Sequence, residues 1–69
     1  MYIIRLTDGD TVATIKQKSN NTNLSITYKG EAMREETFPD STEQGRKITL
    51  SSLTASLINN NFIIDEILV

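Results

Sequence analysis

Residues 2–16 read YIIRLTDGDTVATIK, in which one Asp-Gly pair separates two runs rich in Ile, Val and Thr. An Asp-Gly pair between two β-prone runs is the strongest short-range signal for a β-hairpin. We therefore predict two antiparallel strands, residues 2–7 and 11–16, joined by a tight turn centred on Asp8-Gly9. This hairpin is the part of the sequence that decides the fold.

The register of the hairpin decides which side chains are buried, because a slip of one residue turns a strand over. With Asp8-Gly9 as a two-residue turn, Tyr2 faces Ile15 and Ile4 faces Ala13, and one face of the hairpin is apolar. A three-residue bulged loop is the alternative, and it would bring two other side chains to that face, Val12 and Thr14. We favour the first register because it buries more apolar surface.

A third strand is expected at residues 24–29, after a polar loop at residues 17–23. Leu24, Ile26 and Tyr28 alternate with polar residues, which is typical of a strand with one buried and one solvated face. The first three strands therefore form an antiparallel meander that is covered on one side.

Residues 30–46 have the least regular pattern, and they allow either a short strand or a mobile flap. Pro39 would end such a strand. The spacing of Asp40-Ser41-Thr42-Glu43 is typical of a helix start and Gly45 of a helix stop, which together predict a single helical turn. Residues 46–50 are then predicted to form another short strand.

A helix is predicted near residues 52–60, because Leu50, Leu53 and Leu57 follow at i, i+3 and i+7 and the Asn-Asn-Asn run that begins at Asn59 can end it. Residues 62–69 are apolar on both faces and predict an inner strand. We therefore predict a single α+β domain over residues 1–69, with a mainly antiparallel sheet of four to five strands, which can be curled or barrel-like, and one short helix.

The composition excludes most catalytic and metal chemistry. The 69 residues include no Cys and no His, so disulfides are excluded and the usual zinc ligands are missing. Neighbouring carboxylates on a strand, as at Asp65-Glu66, point to opposite faces and cannot act together on one atom. We expect one of these two to face the interior and to pair with Arg5. We predict a protein that is not an enzyme and needs no cofactor, with homo-oligomerisation as the remaining way to stabilise so small a core.

The net charge and the short apolar runs limit the classes of partner that we expect. Nine acids and seven bases give a net charge of −2, which disfavours direct binding to a nucleic-acid backbone. Apolar runs such as Phe62-Ile63-Ile64 are far too short to cross a membrane. The chain begins without a basic, apolar leader, so we expect a cytoplasmic protein without membrane contact.

One family resemblance lies in residues 4–12, IRLTDGDTV. This stretch resembles the opening hairpin of Sm-like RNA-binding barrels, which carry a hydrophobic-x-Leu-x-Asp-Gly pattern. The second Sm pattern, an Ile-Arg-Gly stretch before the last strand, is missing, and so is the amino-terminal helix. The resemblance implies a small barrel or curled sheet, and we carry no RNA-binding residues over from it.

Function is predicted to lie in residues 30–46, which hold five of the nine acids. An acidic segment with one or two large apolar side chains is typical of a protein-binding epitope for a basic or nucleic-acid-handling partner. The predicted partner-binding residues are Glu31, Met33, Arg34, Glu35, Glu36 and Phe38. In size and composition the chain is similar to small accessory or inhibitory proteins of phages and mobile elements.

Three alternatives remain open at this stage. One is an inert insertion in which Met33 and Phe38 only fill space against the sheet. Another is an oligomer that binds a nucleotide or other small ligand through Arg34, Arg46 or Lys47. The last is a nucleic-acid-binding module of the Sm-like kind.

Overall fold

The computed structural model describes all 69 residues, which form five strands and one helix. The elements follow the chain in this order: β1 Tyr2–Thr7, β2 Thr11–Gln17, β3 Thr22–Tyr28, β4 Glu31–Phe38, α1 Glu43–Asn59 and β5 Ile63–Leu68. All neighbouring strands are antiparallel, and their order across the sheet is β4-β3-β2-β1-β5. The predicted α+β class is confirmed. The sheet is open, with β4 and β5 as its two edges, and is not closed into a barrel.

The first hairpin forms with the predicted faces but with a different register. Ile4 lies opposite Ile15 and Leu6 opposite Ala13, two residues away from the predicted pairing. The turn is centred on Gly9-Asp10, where Gly9 adopts a φ of 115° that side chains disfavour. Because the shift is two residues, the same side chains stay buried, and Val12 and Thr14 lie on the other face.

The core is small and lies between the central strands and the helix. Five apolar residues are buried: Ile4, Leu6, Ala13, Ile15 and Leu24. Seven partly buried side chains pack around them, from strands β1, β3 and β4, from the helix and from the residue before β5: Tyr2, Ile26, Phe38, Leu50, Leu53, Leu57 and Phe62. One face of the sheet therefore packs against α1, as the alternation in residues 24–29 predicted, and the other face is not covered.

The helix is longer than predicted, because it begins at Glu43 and not near residue 52. Thr42 caps it, with its side-chain oxygen accepting a 3.0 Å hydrogen bond from the amide of Gly45. The predicted strand at residues 46–50 is wrong, since these residues are helical and Leu50 joins Leu53 and Leu57 on the face toward the sheet. Asn61, with a φ of 70°, ends the helix as its residue type predicted.

The last strand is an edge strand, so the predicted inner position is wrong. β5 pairs only with β1, and each of its residues is exposed. Arg5 and Glu66 form the predicted ion pair, at 3.0 Å, but both side chains are more than 40 % exposed on the uncovered side of the sheet. Asp65 lies in a bulge between the pairs Arg5–Glu66 and Leu6–Ile64. Both Asp65 and Glu66 are exposed, so the prediction that one of them faces the interior is wrong.

Candidate protein-interaction surface

Strand β4 forms the edge of the sheet farthest from β5, and its outer side has no neighbouring strand. The strand alternative for residues 30–46 is therefore confirmed over Glu31–Phe38. An unpaired edge offers a row of backbone N–H and C=O groups to another chain. Three acids and one base stand on this edge strand, so the backbone groups lie within a negatively charged surface.

Side chains of β4 point alternately to the two faces of the sheet. Glu35 lies opposite Ser25 on the uncovered face, whereas Glu36 lies opposite Leu24 on the face that carries the helix. Arg34 shares the helix face and its Nε donates to Glu36 at 2.7 Å, so this base is neutralised by its neighbour. Glu31 and Glu35 have no ion-pair partner and carry the unbalanced charge of the edge.

The two apolar residues of β4 differ in their surroundings. Phe38 is partly buried and packs against the core, so it stabilises the end of the strand. Met33 is 64 % exposed and stands in a bulge, because Ile26 pairs with Arg34 and Thr27 with Ala32. Bulges redirect side chains at sheet edges. Of the two predicted anchors, the structure leaves Met33 exposed and packs Phe38 against the core.

The rest of residues 30–46 connects the edge strand to the helix and is fixed by Arg46. Its guanidinium donates to the carbonyl oxygens of Ser19 and Asp40, and its own carbonyl accepts a 2.6 Å hydrogen bond from the side chain of Gln17. Gln17 also donates to the buried Thr22 at 3.1 Å. This network holds the start of α1 on the β2–β3 end of the sheet.

The basic residues proposed for ligand binding do not form one site. Arg34 pairs with Glu36, Arg46 is bound to backbone carbonyls, and Lys47 lies 3.6 Å from Glu43 on the exposed surface of the first helical turns. Each of these charges is already engaged by its own neighbour. The structure therefore does not bring them together around a common cavity.

The sequence did not predict an apolar groove beside the helix. Its floor is formed by β1 and β5 and its wall by α1, and its volume is about 460 Å³. Nine residues line it: Tyr2, Ile4, Leu50, Ser51, Thr54, Ala55, Ile58, Ile64 and Ile67. The hydroxyl of Thr54 is buried without a hydrogen-bond partner. The signal for this groove in the sequence is the apolar character of both faces of β5, which also fits an inner strand.

The arrangement offers surfaces for contact. No group of three or more acidic side chains lies close enough together to hold a metal ion. The one helix is too short and too polar to span a membrane. What the chain presents is an acidic edge at β4, and at its other end an apolar groove with an apolar edge at β5.

Comparison of the chain with protein-family models, with curated protein sequences and with solved structures finds no match.

Proposed function

We propose that this chain is a non-enzymatic binding protein that captures a basic segment of a protein partner along β4. The observation that carries the proposal is the combination of an open sheet edge with unbalanced acids at Glu31 and Glu35. Either feature alone is common on protein surfaces. Together they offer backbone hydrogen bonds to an added strand and a negative charge that favours a basic strand over others.

The mode of binding we propose is addition of a strand to the sheet. An extended segment aligned with β4 would pair with its free backbone groups, which supplies affinity, while alternate side chains supply specificity. Lys or Arg side chains on that segment would meet Glu35 on one face and Glu31 on the other. Met33 gives one exposed apolar contact between them.

The distribution of charge along the chain supports a basic partner. Residues 30–46 contain five acids and two bases, whereas the remainder of the chain contains four acids and five bases. The negative charge is therefore concentrated in one segment, and complementary charge steers association and suppresses wrong partners. Basic surfaces are common on nucleic-acid-handling proteins, so a protein of that class is the partner we propose.

Occupying the basic surface of such a partner would compete with whatever that surface normally binds. We propose on this ground an accessory or inhibitory role, consistent with the similarity in size and composition to small phage and mobile-element proteins. The role needs only contact, because a bound strand blocks a surface without any chemical step.

The test is capture of proteins from a host lysate by two variants with the same total charge. Glu31→Lys with Glu35→Lys reverses the charge of the β4 edge and leaves the pair of Arg34 with Glu36 intact. Asp10→Lys with Asp65→Lys makes the same change in charge at exposed positions without ion pairs, in the β1–β2 turn and on β5, outside β4.

We expect the β4 variant to lose about tenfold or more of its affinity, since each exposed ion pair contributes up to about 1 kcal/mol and reversal adds repulsion. The control should bind like the natural chain, and the difference should shrink at about 0.5 M salt because exposed charges are screened. Equal capture by both variants would refute the β4 edge as the binding surface. If capture depends on Met33 and not on Glu31 or Glu35, β4 is still the binding surface but the proposed selection of a basic partner is wrong.

A further inference from the structure

The outward face of α1 carries no charge over most of its length. From Ile48 to Asn59 the helix contains no Asp, Glu, Lys or Arg, although seven of these twelve residues are exposed. Surface helices normally carry charged residues on the face opposite the core. Here the exposed positions hold two isoleucines with small residues and one Asn: Ile48, Ser51, Ser52, Ala55, Ser56, Ile58 and Asn59.

Four of these exposed residues form a continuous seam, which we name the 48–58 seam: Ile48, Ser51, Ala55 and Ile58. Their spacing of three, four and three residues is the a/d pattern of helices that pack against other helices. Ile48 is 60 % exposed and Ile58 is 48 % exposed. The seam is distinct from the leucines of α1, which face the sheet.

We propose that the 48–58 seam pairs with the same seam of a second copy of this chain, with the two helices antiparallel. The order large-small-small-large is the same in both directions. An antiparallel partner therefore places Ile48 opposite the second copy's Ile58, and Ser51 opposite its Ala55. A surface that is complementary to itself in this way is what a two-fold symmetric dimer requires.

The small residues lie where the two helices cross. Because the distance between packed helices depends on the side chains at the contact, Ser51 and Ala55 allow a close approach there. The two isoleucine pairs then close the ends of the contact. The charged residues of α1, which are Glu43, Arg46 and Lys47, lie outside the seam, so the antiparallel arrangement places no like charges opposite each other in it.

The apolar groove extends the same contact surface. Ser51, Ala55 and Ile58 line both the seam and the groove, and the floor of the groove adds Ile64 and Ile67, each nearly half exposed. Five strands span about 19 Å at their usual spacing, whereas one helix is about 10 Å wide. One helix therefore leaves part of the face uncovered, and a second helix beside it would cover the groove.

The small size of the chain also favours a second copy of the chain as the partner of this surface. Only six of 69 residues are buried, and domains with cores this small commonly gain stability from association. A standard interface takes about 800 Å² from each partner, about one sixth of this chain's surface of 4594 Å². The 48–58 seam and the groove share Ser51, Ala55 and Ile58, so together they form one continuous uncharged area.

The first test is the dependence of mass on concentration, measured by analytical ultracentrifugation. We expect the natural chain to rise from 7.7 kDa toward twice that mass as its concentration increases. Ala55→Glu places a charge in the seam and should keep the chain monomeric, whereas Ser56→Glu places the same charge on the next exposed position and should dimerise normally. Circular dichroism of both variants checks that the fold is kept.

The second test uses the absence of cysteine from the chain, which makes engineered thiols unambiguous. In the antiparallel pair, a chain with Ser51→Cys should form a disulfide with a chain carrying Ala55→Cys faster than either forms one with itself. Thr37→Cys on β4 is the control and should not cross-link, since β4 lies at the opposite edge of the sheet from the groove.

A chain that stays monomeric at every concentration would overturn the proposal, and so would a dimer that Ala55→Glu leaves intact. Faster cross-linking of Ser51→Cys with itself would also overturn it, because that result indicates parallel helices. Neither test involves Glu31 or Glu35, so dimerisation through α1 and capture through β4 can fail independently.

Discussion

Replacing Leu6 by Ala tests whether the small core described above holds the molecule together. Leu6 is fully buried between β2 and β5, opposite Ala13 on one side and Ile64 on the other. Replacing a buried Leu by Ala removes apolar contacts and leaves a cavity, which costs about 2–5 kcal/mol of unfolding free energy. We expect about 3 kcal/mol here, because the strands on both sides prevent collapse of the site.

This loss is large for a chain of 69 residues. Domains have an unfolding free energy of about 0.05–0.15 kcal/mol per residue, which gives about 3–10 kcal/mol in total. With a urea dependence of about 1 kcal/mol per molar, the midpoint of unfolding should fall by about 3 M. The matched control is Ile63→Ala on β5, where the side chain is 68 % exposed and the loss should stay within about 0.5 kcal/mol.

Urea unfolding followed by far-ultraviolet circular dichroism measures both variants, at one low protein concentration so that association does not contribute. If the natural chain unfolds below about 3 M urea, the Leu6→Ala chain should be unfolded without denaturant. Equal losses for Leu6→Ala and Ile63→Ala would refute the reasoning, because they would mean that β5 is as buried in solution as β1.

Three further predictions concern local structure. Gly9→Val should cost more than about 1 kcal/mol, although open space surrounds the position, because a β-branched residue resists a φ of 115°; unchanged thermal stability would contradict the turn. Thr42→Ala should cost about 1 kcal/mol through loss of the helix cap, whereas Thr42→Ser should keep most of it, as measured by urea unfolding. A double-mutant cycle on Arg5 and Glu66 should give a coupling of about 1 kcal/mol or less that decreases with salt, because the pair is exposed; a larger, salt-independent value would indicate that this face is covered.

The first hairpin shows what local patterns can determine. Alternation along residues 2–7 and 11–16 decides which face is buried, and the structure keeps that face. The Asp8-Gly9-Asp10 stretch allows a turn centred on either pair, and both turns bury the same side chains. The choice between them rests on backbone interactions such as the hydrogen bond from the Thr11 amide to the Asp8 carboxylate, which the apolar pattern does not indicate.

The start of the helix shows how one residue type can serve two purposes. As a helix stop, Gly45 predicts that residues 46–50 form a strand. In the structure Gly45 lies inside the first helical turn, where a Cβ atom would stand 2.9 Å from the hydroxyl oxygen of Thr42. Glycine at this position therefore allows the Thr42 side chain to approach and cap the helix, and it does not end the helix. The spacing of Leu50 with Leu53 and Leu57 indicates a helix that includes residue 50, in agreement with the structure.

The candidate surfaces were predicted only in part. The acidic character of residues 30–46 is visible in the composition, but the separation of Met33 from Phe38 depends on a bulge that the sequence does not reveal. The pattern of β5 indicates a strand covered on both faces, but in a single chain all of its residues are exposed and only Ile64 and Ile67 face the helix across the groove. A sequence pattern cannot show whether such a cover comes from the same chain or from another.

Amide hydrogen exchange of β4, in the presence and absence of the partner that the natural chain captures, shows whether that partner adds a strand at this edge. We predict that backbone amides of Glu31–Phe38 that point away from β3 exchange more slowly in the complex, because they become hydrogen-bonded to an added strand. Amides at the outer side of β5 should be unchanged. Slower exchange at β5 with no change at β4 would contradict binding along β4, since it would place the partner on the opposite edge of the sheet.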